Sequence, residues 1–235
     1  MTLLTIIGGT DGVAARLSLP VPTTIVGSTD KQVTQLLALV NQEGRSLARR
    51  GPWEALVEEA SFSTLASPAQ ANAVPADLDR FIPNSFFNRT TRRPVYGPMT
   101  SQQWQWILAQ PVYSTVYLAY RKRSGQFLVT PTPAAGETIA YEYVSRNWAK
   151  SEAGVAQPNF QADDDAAFLD EELITLGAVW RYLRAKGLDY AEEMASYERE
   201  VEQALARDGG STTISLSPQP FDIGRINLPD GSFGT

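Results

Sequence analysis

Two apolar stripes near the C-terminus constrain the fold of this chain most strongly. Residues 164–186 place apolar side chains on one helical face, and residues 189–207 do so at close to heptad spacing. Gly187 separates them, where a left-handed residue commonly ends a helix. We therefore predict a helical hairpin. Its stripes are Phe168, Leu169, Leu173, Leu176, Trp180 and Leu183 in the first helix, and Tyr190, Met194, Tyr197, Val201 and Ala204 or Leu205 in the second.

A third helical pattern lies near the N-terminus. Ser28 or Thr29 is the predicted N-cap, Asp30 lies in the first turn, and Gly51-Pro52 ends the helix. We expect this helix to pack with the hairpin as a bundle. Its apolar residues are Val33, Leu36, Leu37, Val40 and Leu47.

Between these helices the pattern changes to β. Residues 57–65 alternate as in a strand, and residues 113–148 alternate with turns at Ser124-Gly125 and at 131–137. The second segment predicts a three-stranded antiparallel meander. In its last strand Ile139, Tyr141 and Tyr143 share one face, and Ala140, Glu142 and Val144 share the other.

A short helix interrupts the β region. Thr100 and Gln103 have the spacing of a capping box at its start. Trp104 and Trp106 are two positions apart on it, so one ring should pack inward and the other should face outward or into a neighbour, whereas Trp148 and Trp180 are predicted core residues.

The predicted fold class is α+β, a helical bundle with an antiparallel β-rich insertion and an extended C-terminal tail. Pro20 and Pro22 forbid a helix interior around them, so we predict an irregular or extended N-terminal arm. The predicted boundaries are 1–28 for the arm, 29–56 and 159–208 for the bundle, 57–150 for the insertion and 209–235 for the tail.

The chain contains neither cysteine nor histidine. This excludes disulfides, thiol nucleophiles, serine triads and the zinc or iron sites that need these residues. No apolar run approaches the ~18 residues that span a bilayer, and the first residues lack the basic region of a signal peptide. We expect a soluble protein made in a cytoplasm, with no cofactor and no membrane partner.

The segment 163–172 contains six acidic residues in ten positions. Asp163, Asp164 and Asp165 fall at the predicted helix start, where carboxylates accept hydrogen bonds from free N–H groups. A calcium loop of the EF-hand type needs ligands at alternate positions around a central glycine, and this segment has neither. We favour helix capping over a metal site, and a metal site over catalytic carboxylates.

Charge is divided along the chain. Residues 1–150 hold 14 Lys and Arg against 10 Asp and Glu, whereas residues 151–235 hold 6 against 16. This division argues against a uniformly basic nucleic-acid coat and suits a protein that meets its partners through two unlike surfaces.

Two short basic clusters lie close to aromatic residues in the sequence. Arg89, Arg92 and Arg93 form one, and Arg121 and Arg123 form the other. We favour a solvated loop and a hairpin end, with contact to DNA phosphates or to a partner as the alternative.

Three stretches resemble the head-to-tail adaptor proteins of short-tailed bacteriophages, a group often called tail tubular protein A. Residues 28–56 resemble the opening helix and its Arg-Arg-x-x-Trp turn, residues 134–148 an Ala-Ala-Gly-Glu turn leading into an aromatic strand, and residues 168–210 the closing helical hairpin. The resemblance covers most of residues 25–212, and its specificity lies in order and spacing.

This resemblance implies a structural protein without a catalytic site. Such proteins form a ring, usually a dodecamer, that docks beneath the portal protein, extends the DNA channel and presents a platform to the tail nozzle protein. DNA would pass through without specific binding. The expected location is the virion, at the connector between head and tail, after synthesis in the host cytoplasm.

The last residues, 211–235, are broken by prolines yet keep apolar side chains that cannot form a core alone. They suit a segment that binds a partner, for instance by adding a strand to a sheet edge. The resemblance implies the portal protein or an adjacent subunit as that partner. The predicted contact residues are Ile214, Leu216, Phe221, Ile223, Ile226, Leu228 and Phe233.

Two other functions remain as alternatives. A carboxylate-dependent peptidoglycan or glycan hydrolase of the phage tail would use acid and base residues near the hairpin, such as Asp170 and Glu172. Zymography of their amide variants tests this hypothesis. A nucleic-acid-binding module would use the two arginine clusters, and filter binding would then fall steeply with salt.

Overall fold

The computed structural model describes residues 2–109 and 117–209, and it has an α+β fold, as predicted. Within these ranges a bundle of helices from both ends of the chain packs beside a β-rich region. The helices are α1 (Leu3–Gly8), α2 (Val13–Arg16), α3 (Lys31–Ala48), α4 (Ser101–Ala109), α5 (Glu171–Lys186) and α6 (Ala191–Asp208).

All strand pairs in the described part of the chain are antiparallel. The strands are β1 (Val57–Ser63), β2 (Ala69–Gln70), β3 (Leu78–Phe81), β4 (Phe87–Asn88), β5 (Arg93–Pro94), β6 (Ala119–Arg123), β7 (Gln126–Thr130), β8 (Thr138–Ser145), β9 (Ala149–Lys150), β10 (Ala156–Gln157) and β11 (Ala166–Ala167). One sheet has the order β1-β8-β4-β5, with β3 also paired to β8, and the others have the orders β2-β7-β6 and β10-β9-β11.

The predicted bundle is present, since α3, α5 and α6 share one core. Asp30 caps α3, where its carboxylate accepts a hydrogen bond from Gln32 N at 2.7 Å, so the cap lies just after the predicted Ser28 or Thr29. Gly187 ends α5 with φ of +71°, which confirms the predicted left-handed residue. The bundle buries Leu36, Val40, Leu47, Leu173, Ile174, Ala178, Trp180, Tyr197 and Val201.

The prediction of an irregular or extended arm over residues 1–28 is wrong where α1 and α2 lie. Leu3, Ile6 and Ile7 of α1 are buried against the bundle. The two prolines near residue 20 restrict only the chain around them. The helices upstream are too short to show a clear 3.6-residue period, because six residues complete fewer than two turns.

The predicted three-stranded meander is also wrong. Strands β6 and β7 form the predicted hairpin, but the other neighbour of β7 is β2. Strand β8 pairs instead with β1, from Val57 opposite Val144 to Ser63 opposite Thr138. Thr64 N donates to Glu137 O at 2.8 Å, so the segment after β7 carries the chain across to β1. Alternation identifies the two faces of a strand but does not show which strands pair with it.

Strand β8 has the two faces that its alternation predicted, and in the structure it contributes to two separate cores. Ile139, Tyr141 and Tyr143 pack in an aromatic core with residues of the β2-β7-β6 sheet, whereas Val144 belongs to the bundle core. Trp148 follows β8 and is fully buried against α3. A Cβ on Gly44 would lie 2.4 Å from its ring, so only glycine allows this approach.

Helix α4 begins as predicted. Thr100 N donates to Gln103 Oε1 at 3.0 Å, and Gln103 N donates to Thr100 Oγ1 at 3.3 Å, which completes a capping box. Trp104 is buried and Trp106 is 53% exposed, as their spacing indicated.

Candidate functional surfaces

Most of the acidic segment precedes a helix, and only Glu171 and Glu172 lie in its first turn. Helix α5 begins at Glu171, so the predicted start at residue 164 is wrong by seven positions. Asp170 is the N-cap, where its carboxylate accepts a hydrogen bond from Glu172 N at 2.9 Å. Asp165 is buried and folds the preceding loop by accepting hydrogen bonds from the backbone N–H groups of Gln161 and Ala162.

The same segment holds the N-terminal region against the bundle. The Asp163 carboxylate accepts hydrogen bonds from Val26 N at 2.7 Å and from Ile25 N at 3.2 Å. The Glu172 carboxylate binds the Arg16 guanidinium at 2.7 and 2.9 Å. Each of these contacts spans well over 100 positions of sequence, so the acidic cluster is a clamp on residues 2–26.

The carboxylates proposed as alternatives for chemistry therefore have structural partners. Asp170 caps α5 and Glu172 pairs with Arg16, which gives each an assigned contact within the fold. In the part of the chain that the structure describes, no group of three or more acidic residues is arranged to hold a metal ion. Helix capping was the favoured interpretation for Asp163, Asp164 and Asp165, and it is wrong for them, because the helix is capped by Asp170 instead. Asp163 and Asp165 accept hydrogen bonds from backbone N–H groups of loops.

Replacing Asp163 by alanine should increase the mobility of the N-terminal segment where it contacts this carboxylate. The change leaves the N–H groups of Ile25 and Val26 without their acceptor, which costs roughly 1–3 kcal/mol of unfolding free energy. Hydrogen exchange at these two amides should accelerate, and urea denaturation measures the loss. Asp164, which is exposed, provides the matched control: its alanine variant should behave as the parent protein does. Equal behaviour of the two variants would contradict the assigned clamp.

A buried polar cluster at the centre of the bundle was not predicted. Glu43 of α3 is fully buried, and its Oε2 accepts from Arg181 Nε at 2.6 Å. Its other oxygen accepts a hydrogen bond from the Tyr197 hydroxyl. These three residues come from α3, α5 and α6, so one carboxylate holds all three helices together. Gly177 gives it room, since a Cβ there would lie 2.3 Å from Glu43 Cδ.

Burial and the polar neighbours of Glu43 shift its pKa in opposite directions. Burial raises the pKa of Glu43, whereas the Tyr197 hydroxyl and the Arg181 guanidinium act to lower it, and burial is the larger effect. Arg50 and Glu198 form a second ion pair beside the cluster, with Arg50 Nη2 at 2.6 Å from Glu198 Oε1. The cluster therefore joins the helices at the cost of burying a carboxylate.

A signal for Glu43 was present in the sequence. The apolar stripe of α3 includes Leu36, Val40 and Leu47, and position 43 continues this spacing of four, three and four. A charged residue on such a stripe predicts a buried ion pair, and the arginine that completes it lies on the hairpin.

The two predicted arginine clusters lie on different sheets. Arg89 and Arg92 lie in the turn between β4 and β5 and Arg93 begins β5, whereas Arg121 and Arg123 are on β6. Arg89 pairs with Glu59 at 2.7 Å, and Arg121 Nη2 donates to Ser101 Oγ at 2.7 Å. The two clusters therefore belong to different sheets, and their contact with DNA or a partner stays a prediction.

Exposed apolar side chains lie on and near α4. Trp106 and Leu108 of this helix are 53% and 56% exposed. Tyr96 and Tyr117 are nearly as exposed, and their rings meet edge to face with centroids 5.4 Å apart. The predicted contact residues of the tail, from Ile214 to Phe233, lie outside the described residues.

None of the helices within 2–109 and 117–209 combines the length and apolar character needed to cross a bilayer.

The described polar side chains with assigned partners join distant segments of the chain. They form the acidic clamp, the buried three-helix cluster and ion pairs between elements. The fold and these contacts define an α+β protein whose distant segments are joined by polar side-chain contacts.

The sequence profile of the SU10 adaptor protein family matches residues 10–220, and the chain belongs to this family. The predicted resemblance to phage head-to-tail adaptors is thereby confirmed, and the protein is a structural adaptor and virion component of a phage. No curated protein gives a significant match.

Proposed function

We propose that this protein assembles into a ring that joins the portal protein to the tail and extends the DNA channel. The observation that carries this proposal is the family match over residues 10–220, which spans both the bundle and the β-rich region. We expect twelve copies in the ring, on the resemblance to tail tubular protein A, with the tail nozzle protein docked on the face away from the portal.

The contacts within the bundle support a structural role under mechanical stress. The Glu43 cluster joins three helices, and the clamp at Asp163 and Glu172 fixes the N-terminal segment on them. A subunit held between two larger assemblies must keep its shape while each partner binds, and contacts between distant segments of the chain provide this. The proposed role requires no catalysis.

The charge of α6 fits a channel through which DNA moves. Glu192, Glu193 and Glu202 are exposed on this helix. A wall of carboxylates does not neutralise phosphates, so it adds no salt-sensitive affinity for DNA and allows the duplex to slide. We propose that the acidic bundle faces the channel and that DNA passes without specific binding.

Electron microscopy tests this function directly. The purified chain is mixed with the portal protein of the same phage, and the particles are imaged alone and together. We expect a ring stacked coaxially on the portal, with one adaptor subunit for each portal subunit. An unrelated phage's portal is the control for specificity. Absence of a joint particle at micromolar concentrations of both proteins would refute the proposal.

A further inference from the structure

The five-stranded sheet has an open edge at β1. Within the described residues, β1 pairs with β8 on one side and with no strand on the other. Thr64 N donates to Glu137 O, and hydrogen-bonded pairs alternate along an antiparallel ladder. It follows that Phe62, Ala60 and Glu58 bond to β8, whereas Glu59, Ser61 and Ser63 direct their backbone N–H and C=O groups outward.

This edge is long and accessible. Its seven residues extend over about 23 Å, and Glu59, Ser61 and Ser63 are exposed. Open edges of this length promote aggregation unless another segment covers them. A charged side chain can guard an edge, but both carboxylates of β1 have partners within the same molecule: Glu59 pairs with Arg89 at 2.7 Å, and Glu58 accepts a hydrogen bond from the Tyr143 hydroxyl at 3.0 Å. The edge is therefore suited to accept a strand.

The chain contains a matching strand sequence just beyond α6. Residues 211–217 read Ser-Thr-Thr-Ile-Ser-Leu-Ser, with Ile214 and Leu216 on one face and Thr213 and Ser215 on the other. This segment is seven residues long, as β1 is. Its backbone can satisfy the open groups of the edge, and its two apolar side chains can lie beside Phe62.

Geometry favours a neighbouring copy as the donor of this strand. Asp208 at the end of α6 accepts a hydrogen bond from Glu54 N at 2.8 Å, three residues before β1 begins. A strand that starts there can pair with β1 of its own chain only in parallel. An antiparallel strand would have to start at the opposite end of β1, ~23 Å away, and the two residues between α6 and residue 211 cannot span that distance. Pairing throughout this sheet is antiparallel, and antiparallel addition requires another molecule.

We propose that residues 211–217 of one copy add as an antiparallel strand to the β1 edge of the next copy. This inference rests on the proposed ring and names the contact that closes it. Donor strand and acceptor edge are different surfaces, so the contact is head-to-tail and continues from subunit to subunit, as a ring requires. The rest of the tail, residues 218–235, remains for the portal.

A proline on the open edge tests the contact. Ser61 N–H points away from β8, so Ser61→Pro preserves the β1–β8 ladder while it removes an outward donor and blocks an incoming strand. Ser61→Ala is the matched control, because it keeps the N–H group. With portal present, we expect S61P to need a roughly tenfold higher concentration to form rings, and S61A to assemble as the parent chain does. Circular dichroism and thermal unfolding check that S61P is folded.

Disulfide cross-linking separates the two possible origins of the strand. The chain has no cysteine, so Ser61→Cys combined in turn with Thr213→Cys, Ser215→Cys or Ser217→Cys introduces the only thiols. Covalent multimers on a non-reducing gel support donation by a neighbour. A cross-link within one chain, or normal ring formation by folded S61P, would overturn the inference. The proposed function fails separately, if the parent chain and portal form no joint particle.

Discussion

Replacing Arg181 by methionine should destabilise the protein by about 3–5 kcal/mol near neutral pH, because it leaves a buried carboxylate without its cation. Glu43 is fully buried, and Arg181 approaches its Oε2 at 2.6 Å through Nε. Methionine retains most of the apolar stem, so the lost packing is small compared with the lost charge. Urea denaturation at pH 7 measures the change in unfolding free energy.

The deficit of R181M should grow with pH. Burial raises the pKa of Glu43, and the Arg181 guanidinium partly offsets this, so its removal raises the pKa further. A carboxyl whose pKa is raised on folding favours the folded state while it is protonated, and this contribution is lost as pH rises through the folded-state pKa. We therefore expect the variant to lose more stability relative to the parent protein at pH 8 than at pH 5.

Two further variants make this result specific. Arg184→Met changes an exposed arginine on the same helix and should alter unfolding free energy by no more than about 0.5 kcal/mol. Glu43→Gln added to R181M removes the buried charge while keeping an acceptor for the Tyr197 hydroxyl, so part of the stability should return. A small deficit that does not change with pH would mean that Arg181 does not stabilise an ionised Glu43.

The helices of the bundle could be predicted because their signals are local. The stripe of α3, the glycine after α5 and the capping box at Thr100 each lie within a few turns of chain, and the structure contains all three. The faces of β8 were predicted for the same reason, since alternation is a property of one strand. Such features need no knowledge of what lies elsewhere in the fold.

The errors concern contacts between distant segments. The partner of β8 is β1, some 80 positions upstream, and nothing in the alternation of either strand names the other. The acidic segment was assigned to the nearest helix because a helix N-terminus is the nearest set of free N–H groups. Asp163 instead accepts hydrogen bonds from the N–H groups of Ile25 and Val26. The residues after it are not helical, so the helix begins only at Glu171.

Removing residues 211–235 should strongly weaken docking to the portal while leaving the subunit folded. The described core ends within α6, where Tyr197 and Val201 are buried and Leu205 packs against it, so thermal unfolding should be unchanged. The deleted segment carries seven large apolar side chains. Each contributes roughly 1.5–3 kcal/mol when buried, so the loss of even two should weaken portal binding by about 100-fold or more. Surface plasmon resonance with immobilised portal measures this.

Selective changes within the tail separate its two proposed tasks. Replacing Phe221, Ile223 and Phe233 by serine keeps the chain length and the proposed strand 211–217, so it should weaken portal binding without preventing cross-links between neighbouring subunits. Replacing Ile214 and Leu216 by serine should instead prevent cross-links between neighbouring subunits and affect portal binding less. If the full deletion binds the portal as tightly as the parent chain does, the tail is not the docking element. The exposed side chains around α4, with Trp106 and Tyr96 among them, would then become the leading candidates for that contact.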